Sequence, residues 1–280
     1  MLITAVVNTR SGSGTDPDDV LRLLGRDGAR VQRITIDELD GPLPTGTDRL
    51  VIVGGDGSLG VGARAAHEAG VPLAVVPTGT ANDFARALQL PTDLDGACRL
   101  AADPAASTHR REVAELDGHP FVNAATAGLS VEAAEHAASL KARLGPFAYL
   151  VGAVWAGLTA DPVTCTVRCD GTERFTGPAW RVMVGATGAF GGGSAIGGTR
   201  RGELDVAIVP AGPRIGLVRR AYGMRRGHLT SQSGVAHHRG DTVEIDMARG
   251  GEFNVDGDLR RSGATARFTQ LPDGVRVVVP

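Results

Sequence analysis

Three short glycine–aspartate clusters hold the residues of this chain best suited to chemistry: Gly54-Gly55-Asp56-Gly57-Ser58, Pro77-Thr78-Gly79-Thr80-Ala81-Asn82-Asp83-Phe84 and Asn254-Val255-Asp256-Gly257-Asp258. Glycine lets a backbone approach a phosphate closely, and the N–H groups that open a helix attract an anion. A carboxylate among such glycines repels phosphate unless it also orders a metal ion or handles a proton. That combination meets the demands of phosphoryl transfer, which needs positioning, charge neutralisation and a proton acceptor but no covalent nucleophile. No G-x-S-x-G elbow, H-E-x-x-H pair or G-x-x-x-x-G-K-[ST] loop competes for the assignment. A single Gly-Asp-Gly is ordinarily just a tight turn. Two at adjacent strand ends, with a third acidic turn far downstream, favour a site.

The elements that would carry these clusters follow from the apolar pattern. The first cluster ends the run Leu50-Val51-Ile52-Val53, and the second ends Pro72-Leu73-Ala74-Val75-Val76. Continuous aliphatic runs of this length read as strands buried on both faces of a parallel sheet, whose carboxyl ends are where open α/β sheets bind ligands. Further signals predict strands at 3–7 and 31–36 and helices at 18–24, 61–69 and 82–88, with Asp16 or Pro17 opening the first helix. Such alternation predicts an α/β fold whose N-terminal domain is a three-layer αβα arrangement around a parallel sheet. After about residue 106 the texture changes. Hairpins are predicted around Asp117-Gly118 and Asp170-Gly171, strands at 181–186, 204–209, 242–247, 251–255 and 275–279, and helical segments near 131–140, 146–158 and 217–225. The later part is therefore expected to be mainly antiparallel β. The two domains are expected to span 1–107 and 108–280, with the cleft between them as the natural site.

Bulk properties fit a soluble enzyme. With 280 residues, 42% of them hydrophobic, and a formal charge of −2, the chain is ordinary for a globular protein and unsuited to general nucleic-acid binding. Cys98, Cys165 and Cys169 have no metal-type spacing with histidine, and the last two share a strand face, so packing is their expected role in a reducing cytoplasm. Residues 2–7 run straight from Met1 into a turn without the charged-then-apolar pattern of a leader. The uncharged stretch 144–160 contains Gly145, Pro146, Gly152 and Gly157. It falls short of the about 20 residues that span a bilayer, and reads as a buried helix walling an apolar pocket. Arg219, Arg220, Arg225, Arg226 and His228 lie beside Leu217, Val218, Tyr222 and Met224, a pattern that suits transient contact with anionic headgroups and equally a solvated helix face. His237-His238 reads as exposed loop, Trp155 and Trp180 as core, and Arg86 as either a phosphate contact or an ion-pair partner.

Several motifs occur in one order along almost the whole chain: Asn8-Thr9-Arg10-Ser11-Gly12-Ser13-Gly14, the Gly-Gly-Asp-Gly turn, the run from Pro77 to Arg86, Phe121-Val122-Asn123 with Gly128, Gly191-Gly192-Gly193, and Asp256-Gly257-Asp258. This order resembles the bacterial diacylglycerol kinases and related lipid kinases. Gly-Gly-Asp-Gly alone is shared with NAD kinases and, more loosely, phosphofructokinases; Asn82-Asp83-Phe84-Ala85-Arg86 points to the lipid branch. The resemblance implies an α/β nucleotide-binding domain followed by an antiparallel β-sandwich domain for the lipid. It also implies transfer of the ATP γ-phosphoryl group to the hydroxyl of a diacylglycerol-like lipid alcohol. ATP would be lined by Asn8, Ser11, Gly12, Thr35, Gly54, Gly55, Asp56, Gly57, Ser58, Gly60, Gly79, Thr80 and Asn82. Asp56 and Asp83 would hold Mg²⁺ or order its waters, since that ion prefers oxygen ligands. The family's proton acceptor, usually Glu, falls at Asp258, one methylene shorter, with Asp256 as the alternative.

The chain departs from the family pattern at Ser58 (usually Thr), at Gly60-Val61 (Asn-Glu), at Ala186 (Asn), and at Arg201, which stands for an acidic ligand in a loop that holds a structural Mg²⁺. These departures keep open a catalytically degenerate homologue that binds nucleotide or lipid. An NAD kinase-like enzyme is a third reading, disfavoured by 82–86 and by the apolar stretch. The expected location is cytoplasmic and peripheral to the membrane, and exposed sheet edges leave a homodimer open.

Overall fold

The computed structural model describes residues 1–8, 15–128, 161–186, 189–190, 194–195, 202–213 and 234–280. They form two compact units, Met1–Asn123 with Leu271–Pro280, and Ala124–Gln270. The first contains β1 (Leu2–Val7), α1 (Pro17–Gly25), β2 (Arg30–Ile34), a 3₁₀ turn (Asp37–Asp40), β3 (Arg49–Gly54), α2 (Asp56–Glu68), β4 (Leu73–Pro77), α3 (Asp83–Ala87), α4 (Leu94–Ala102), β5 (Ser107–Arg111), β6 (Ala114–Leu116) and β7 (His119–Phe121). The second contains β8 (Ala124–Gly128), β9 (Val163–Cys169), β10 (Thr172–Gly185), β11 (Ala189–Phe190), β12 (Ser194–Ala195), β13 (Leu204–Pro210), β14 (Ala236–Gly240), β15 (Thr242–Asp246), β16 (Gly251–Val255), β17 (Asp258–Ser262) and β18 (Thr265–Gln270). The chain then returns to the first unit as β19 (Val275–Val279).

The first unit is the expected αβα sandwich. Its sheet runs β2-β1-β3-β4-β19-β5, with β1 through β4 parallel to their neighbours, β19 parallel to β4 and β5 antiparallel to β19. Successive residues of each strand feed opposite cores, as the period of two requires. Ile3, Ala5, Val51, Val53, Ala74 and Val76 meet Val20 and Leu24 of α1 and Ala97, Cys98 and Ala101 of α4. Leu50, Ile52, Leu73 and Val75 meet Leu59, Ala63 and Ala66 of α2 and Phe84 of α3. The Asp16 carboxylate caps α1 by accepting the Asp18 N–H at 3.0 Å, as its position before Pro17 predicts.

Three expectations need correction. The strand at 275–279 belongs to the first unit, not to the later antiparallel part. Val275, Val277 and Val279 face one core and Val278 the other, which is the burial of a strand inside a two-sided sheet. The compact units divide at Asn123/Ala124 rather than at 107/108, because β5 pairs with β19 and the Asp117-Gly118 hairpin stays with the first unit. Helix α2 begins at Asp56 instead of near residue 61, so the acidic turn is the opening of the helix itself. Helix α4 has no strong signal in the sequence, since its buried face is mostly small: Ala97, Cys98, Ala101 and Ala102.

The second unit is antiparallel. Its strands run β17-β16-β8-β10-β9-β15-β18, with β13 also on β10 and β14 on β13. Strand β10 carries the junction: 172–179 pair with β9, and 181–185 pair with both β8 and β13, with a register shift near residue 180. The expected segments at 131–140, 144–160 and 217–225, with their basic run, Trp155, Gly191-Gly192-Gly193 and Arg201, lie outside the described residues, as do Ser11 and Gly12. Among the described residues no helix is long and apolar enough to cross a membrane.

Candidate active site

In the first unit the loops after β3 and β4 meet at their glycines. A Cβ on Gly79 would lie 2.6 Å from the Gly55 Cα and 2.8 Å from Asn82 Oδ1, so no larger residue fits that contact. Asn82 closes the second loop in the left-handed region (φ 50°); its Oδ1 accepts the Gly79 N–H at 3.0 Å and its Nδ2 donates to the Gly79 carbonyl at 2.8 Å. Asparagine is one of the few residues that tolerate this backbone, and its amide doubles as the loop clasp. The first loop is tied to β1 as well: Asn8 Nδ2 donates to Ser58 Oγ at 2.9 Å, directly over Gly54, where a Cβ would come within 2.8 Å of that hydroxyl.

Asp56 is buried and joins the loops. Its Oδ2 accepts the Asp83 N–H at 3.0 Å, and its Oδ1 accepts the Phe84 N–H at 3.0 Å and the Asn123 Nδ2 amide at 3.1 Å. The carboxylate of one helix start thereby caps the next, since α3 has no side-chain cap of its own. Oδ1 with two donors is saturated, while Oδ2 keeps a lone pair. Asp83 is likewise 9% exposed. No group of three or more acidic, histidine or cysteine side chains able to hold a metal alone occurs among the described residues. The donor set fits Mg²⁺, which usually takes one or two carboxylates plus phosphate and water. Helix α2 has thirteen residues and no side-chain cap at Gly55, so its first-turn N–H groups suit an anion.

Other expected residues sit differently. Gly57 lies on the first turn of α2, and Thr80 is exposed at the tip of the second loop. Gly60, read as nucleotide lining, faces β7, where a Cβ would meet the Pro120 carbonyl oxygen at 2.2 Å. Its place is explained by close backbone packing. The Thr35 hydroxyl and N–H both donate to Glu38 at 2.7 Å, and these bonds hold the Glu38 carboxyl below its usual range. In the sequence Asn123 stands out only as part of the motif Phe121-Val122-Asn123. The signal for its role was an amide among Phe121, Val122 and Ala124, all buried, since a buried amide requires a partner.

In the second unit Asp256-Gly257 is a two-residue hairpin turn with φ of 48° and 100° between Val255 and Asp258. The Asp256 carboxylate accepts the Ala124 N–H at 3.0 Å, and its own N–H donates to the Ala124 carbonyl at 3.1 Å. Asp258 is exposed at the start of β17. His237-His238 is on β14 and not in a loop; His237 Nε2 and Arg239 Nε each lie 2.8 Å from the same oxygen of fully buried Asp205. Trp180 is core, and burial pushes the thiols of Cys98, Cys165 and Cys169 up to about 11.

An αβα unit with paired glycine turns and an antiparallel unit matching a β-sandwich family fit one class: the chain belongs to the diacylglycerol kinase and YegS-like lipid kinase family. The diacylglycerol kinase catalytic domain matches residues 3–112, and the YegS C-terminal NAD kinase beta sandwich-like domain matches 123–279. It is 34% identical over 251 residues to a "Probable lipid kinase YegS-like" of Pseudomonas fluorescens, covering 85% of this chain and 79% of that one. It is 27% identical to a "Diacylglycerol kinase" of Staphylococcus epidermidis, covering 87% and 78%. Among solved structures, a diacylglycerol kinase from Bacillus anthracis has the same fold, with TM-score 0.74 and 20% identity over 99% of this chain and 96% of that one. An NAD kinase from Archaeoglobus fulgidus in complex with ATP is more distant, at TM-score 0.53 and 13% identity over 99% and 93%.

Proposed function

We propose that this chain is a kinase that transfers the γ-phosphoryl group of ATP to the hydroxyl of a diacylglycerol-like lipid alcohol. The observation that carries the reading is the Asp56 carboxylate latched onto the N–H groups of Asp83 and Phe84, which fixes two acidic loops at the carboxyl ends of adjacent parallel strands. Asn8, Gly54, Gly55, Gly57, Ser58, Gly79, Thr80 and Asn82 shape the loops for the nucleotide, and the uncapped start of α2 offers N–H groups to its phosphates. Asp56 and Asp83 would hold Mg²⁺ or order its waters, as oxygen donors suited to that ion. Bound Mg²⁺ neutralises charge on the phosphoryl group. The acceptor hydroxyl passes its proton to a carboxylate of the Asp256–Asp258 hairpin.

The lipid branch is preferred because the run from Asn82 to Arg86 is present and the named relatives are lipid or diacylglycerol kinases. The test is a parallel assay of the full chain with labelled ATP and Mg²⁺, one arm holding mixed micelles of diacylglycerol and other lipid alcohols, the other holding NAD. Label is expected in the lipid extract and not in the dinucleotide. Labelled dinucleotide, or nucleotide binding with no product in either arm, overturns the reading.

A further inference from the structure

We propose that Asn123 is a positioning residue for phosphoryl transfer: its amide sets the Asp56 carboxylate, and through it the Asn82-Asp83 corner. The inference rests on the kinase reading above. Asn123 follows two fully buried residues, Phe121 and Val122, and is itself 3% exposed. A packing position of that kind is cheapest for an apolar side chain, because a buried amide costs free energy unless it is bonded. Here the amide is aimed at the one carboxylate that organises both acidic loops, at 3.1 Å across 67 residues of sequence.

The geometry shows why two donors would not suffice. The Asp83 and Phe84 N–H groups fix where the carboxylate sits relative to α3, one to each oxygen. They come from a single short helix of five residues, so by themselves they set the carboxylate relative to α3 alone. Asn123 supplies a third donor from a segment anchored by β7, and three donors from two segments leave one orientation. Asp83 is bonded through its own N–H, so a swing at Asp56 displaces both residues proposed to hold the metal.

Three variants separate the roles. Asn123→Asp keeps the shape, replaces the donor by an acceptor and sets a second carboxylate against Asp56. Asn123→Ala removes the donor, and Asn123→Ser keeps a shorter one. In the full chain without nucleotide, amide hydrogen exchange is followed at Asp83 and Phe84 and, as a reference, at Val51, Ile52 and Val53 of β3. In Asn123→Asp and Asn123→Ala the first pair is expected to exchange about tenfold faster or more, the order for a lost hydrogen bond to a charged group, with the reference unchanged. In the lipid assay kcat falls by about tenfold or more, while the ATP KM moves less than about threefold. Asn123→Ser recovers part of both. Unchanged exchange at Asp83 and Phe84 in Asn123→Asp overturns the proposal, as does an equal loss of protection in β3, which marks a merely structural residue. If exchange responds as expected but the wild-type chain phosphorylates no lipid, the latch stands and the kinase reading falls. If the wild type is active and Asn123→Asp is equally so, the positioning role falls alone.

Discussion

Any side chain at position 60 is expected to damage this protein. Gly60 sits one turn into α2, and a Cβ there would lie 2.2 Å from the Pro120 carbonyl oxygen, 2.7 Å from its carbon and 3.0 Å from the Phe121 Cα. All three are backbone atoms, and Phe121 and Val122 are fully buried, so β7 cannot yield locally. Reaching ordinary contact requires α2 and β7 to separate by about 1 Å, which loosens Leu59, Ala63 and Ala66 in the core beneath. Overpacking of this kind costs about 3 kcal/mol, at the upper end of its range. Alanine returns about 1 kcal/mol in helix propensity over glycine. Gly60→Ala is therefore expected to destabilise the first unit by about 2 kcal/mol, and Gly60→Asn by more. Gly62→Ala is a useful comparison: its Cβ meets Ile52 Cγ1 at 2.4 Å and Cδ1 at 2.7 Å, a side chain that can turn aside, so its loss should be smaller. Urea unfolding of the full chain followed by helical circular dichroism reads the effect, because the described α-helices all lie in the first unit. If Gly60→Ala proves as stable as the parent, or gains the propensity increment, the packing argument is wrong and the glycine needs another explanation.

Other expectations follow from the second unit and the thiols. Arg239→Met leaves the fully buried Asp205 carboxylate with His237 alone and should cost about 3–5 kcal/mol, while joint replacement of Asp205 and Arg239 by apolar residues should recover most of it in thermal melts. The three thiols, raised to about 11 from an ordinary 9.0, favour the folded state fully below pH 9 and lose that contribution as pH rises from 9 to 11. Cys98, Cys165 and Cys169 should therefore resist thiol reagents at neutral pH until the chain unfolds, and rapid labelling of the folded chain would contradict their burial. Asp258→Asn is expected to reduce lipid phosphorylation by about a hundredfold or more, and Asp256→Asn by less than about tenfold.

Much of the first unit was legible because its signals are local. Runs such as Leu50-Val51-Ile52-Val53 mark strands buried on both faces, as parallel sheets require, and Asp16-Pro17 opens a helix by its own chemistry. Asp117-Gly118 and Asp170-Gly171 turn where a left-handed pair must, with φ of 51° and 80° in the first and 51° and 73° in the second. What stayed hidden depends on distant partners. Nothing near Gly60 announces the Pro120 carbonyl, and nothing near Val275 announces β4. Thr35 enters the nucleotide set only through the family resemblance, yet a carboxylate three residues on occupies its hydroxyl. The glycines that mark the site also hide the start of α2, since Gly55, Gly57, Gly60 and Gly62 lower helix propensity while serving close packing and the loop contact.

The choice between Asp256 and Asp258 as proton acceptor turns on a device that the second unit uses twice. At Asp170-Gly171 the aspartate carboxylate accepts the Thr242 N–H at 2.9 Å and its own N–H donates to the Thr242 carbonyl at 2.9 Å. At Asp256-Gly257 the same two bonds are made to Ala124, at 3.0 and 3.1 Å. Asp170 has no proposed chemistry, so the arrangement is explained in full by turn and strand geometry: a left-handed aspartate pinning the hairpin to the neighbouring strand. The Asp256 carboxylate is thus already engaged in holding β16 and β17 to β8, and Asp256→Asn keeps the Oδ1 acceptor that this needs. Asp258 lies just past the turn, exposed, with no such engagement to keep it from a hydroxyl. Substitution at Asp170 supplies the control. If Asp256→Asn abolishes transfer while Asp170→Asn is silent and both proteins fold alike, the two turns are not equivalent and Asp256 takes the proton.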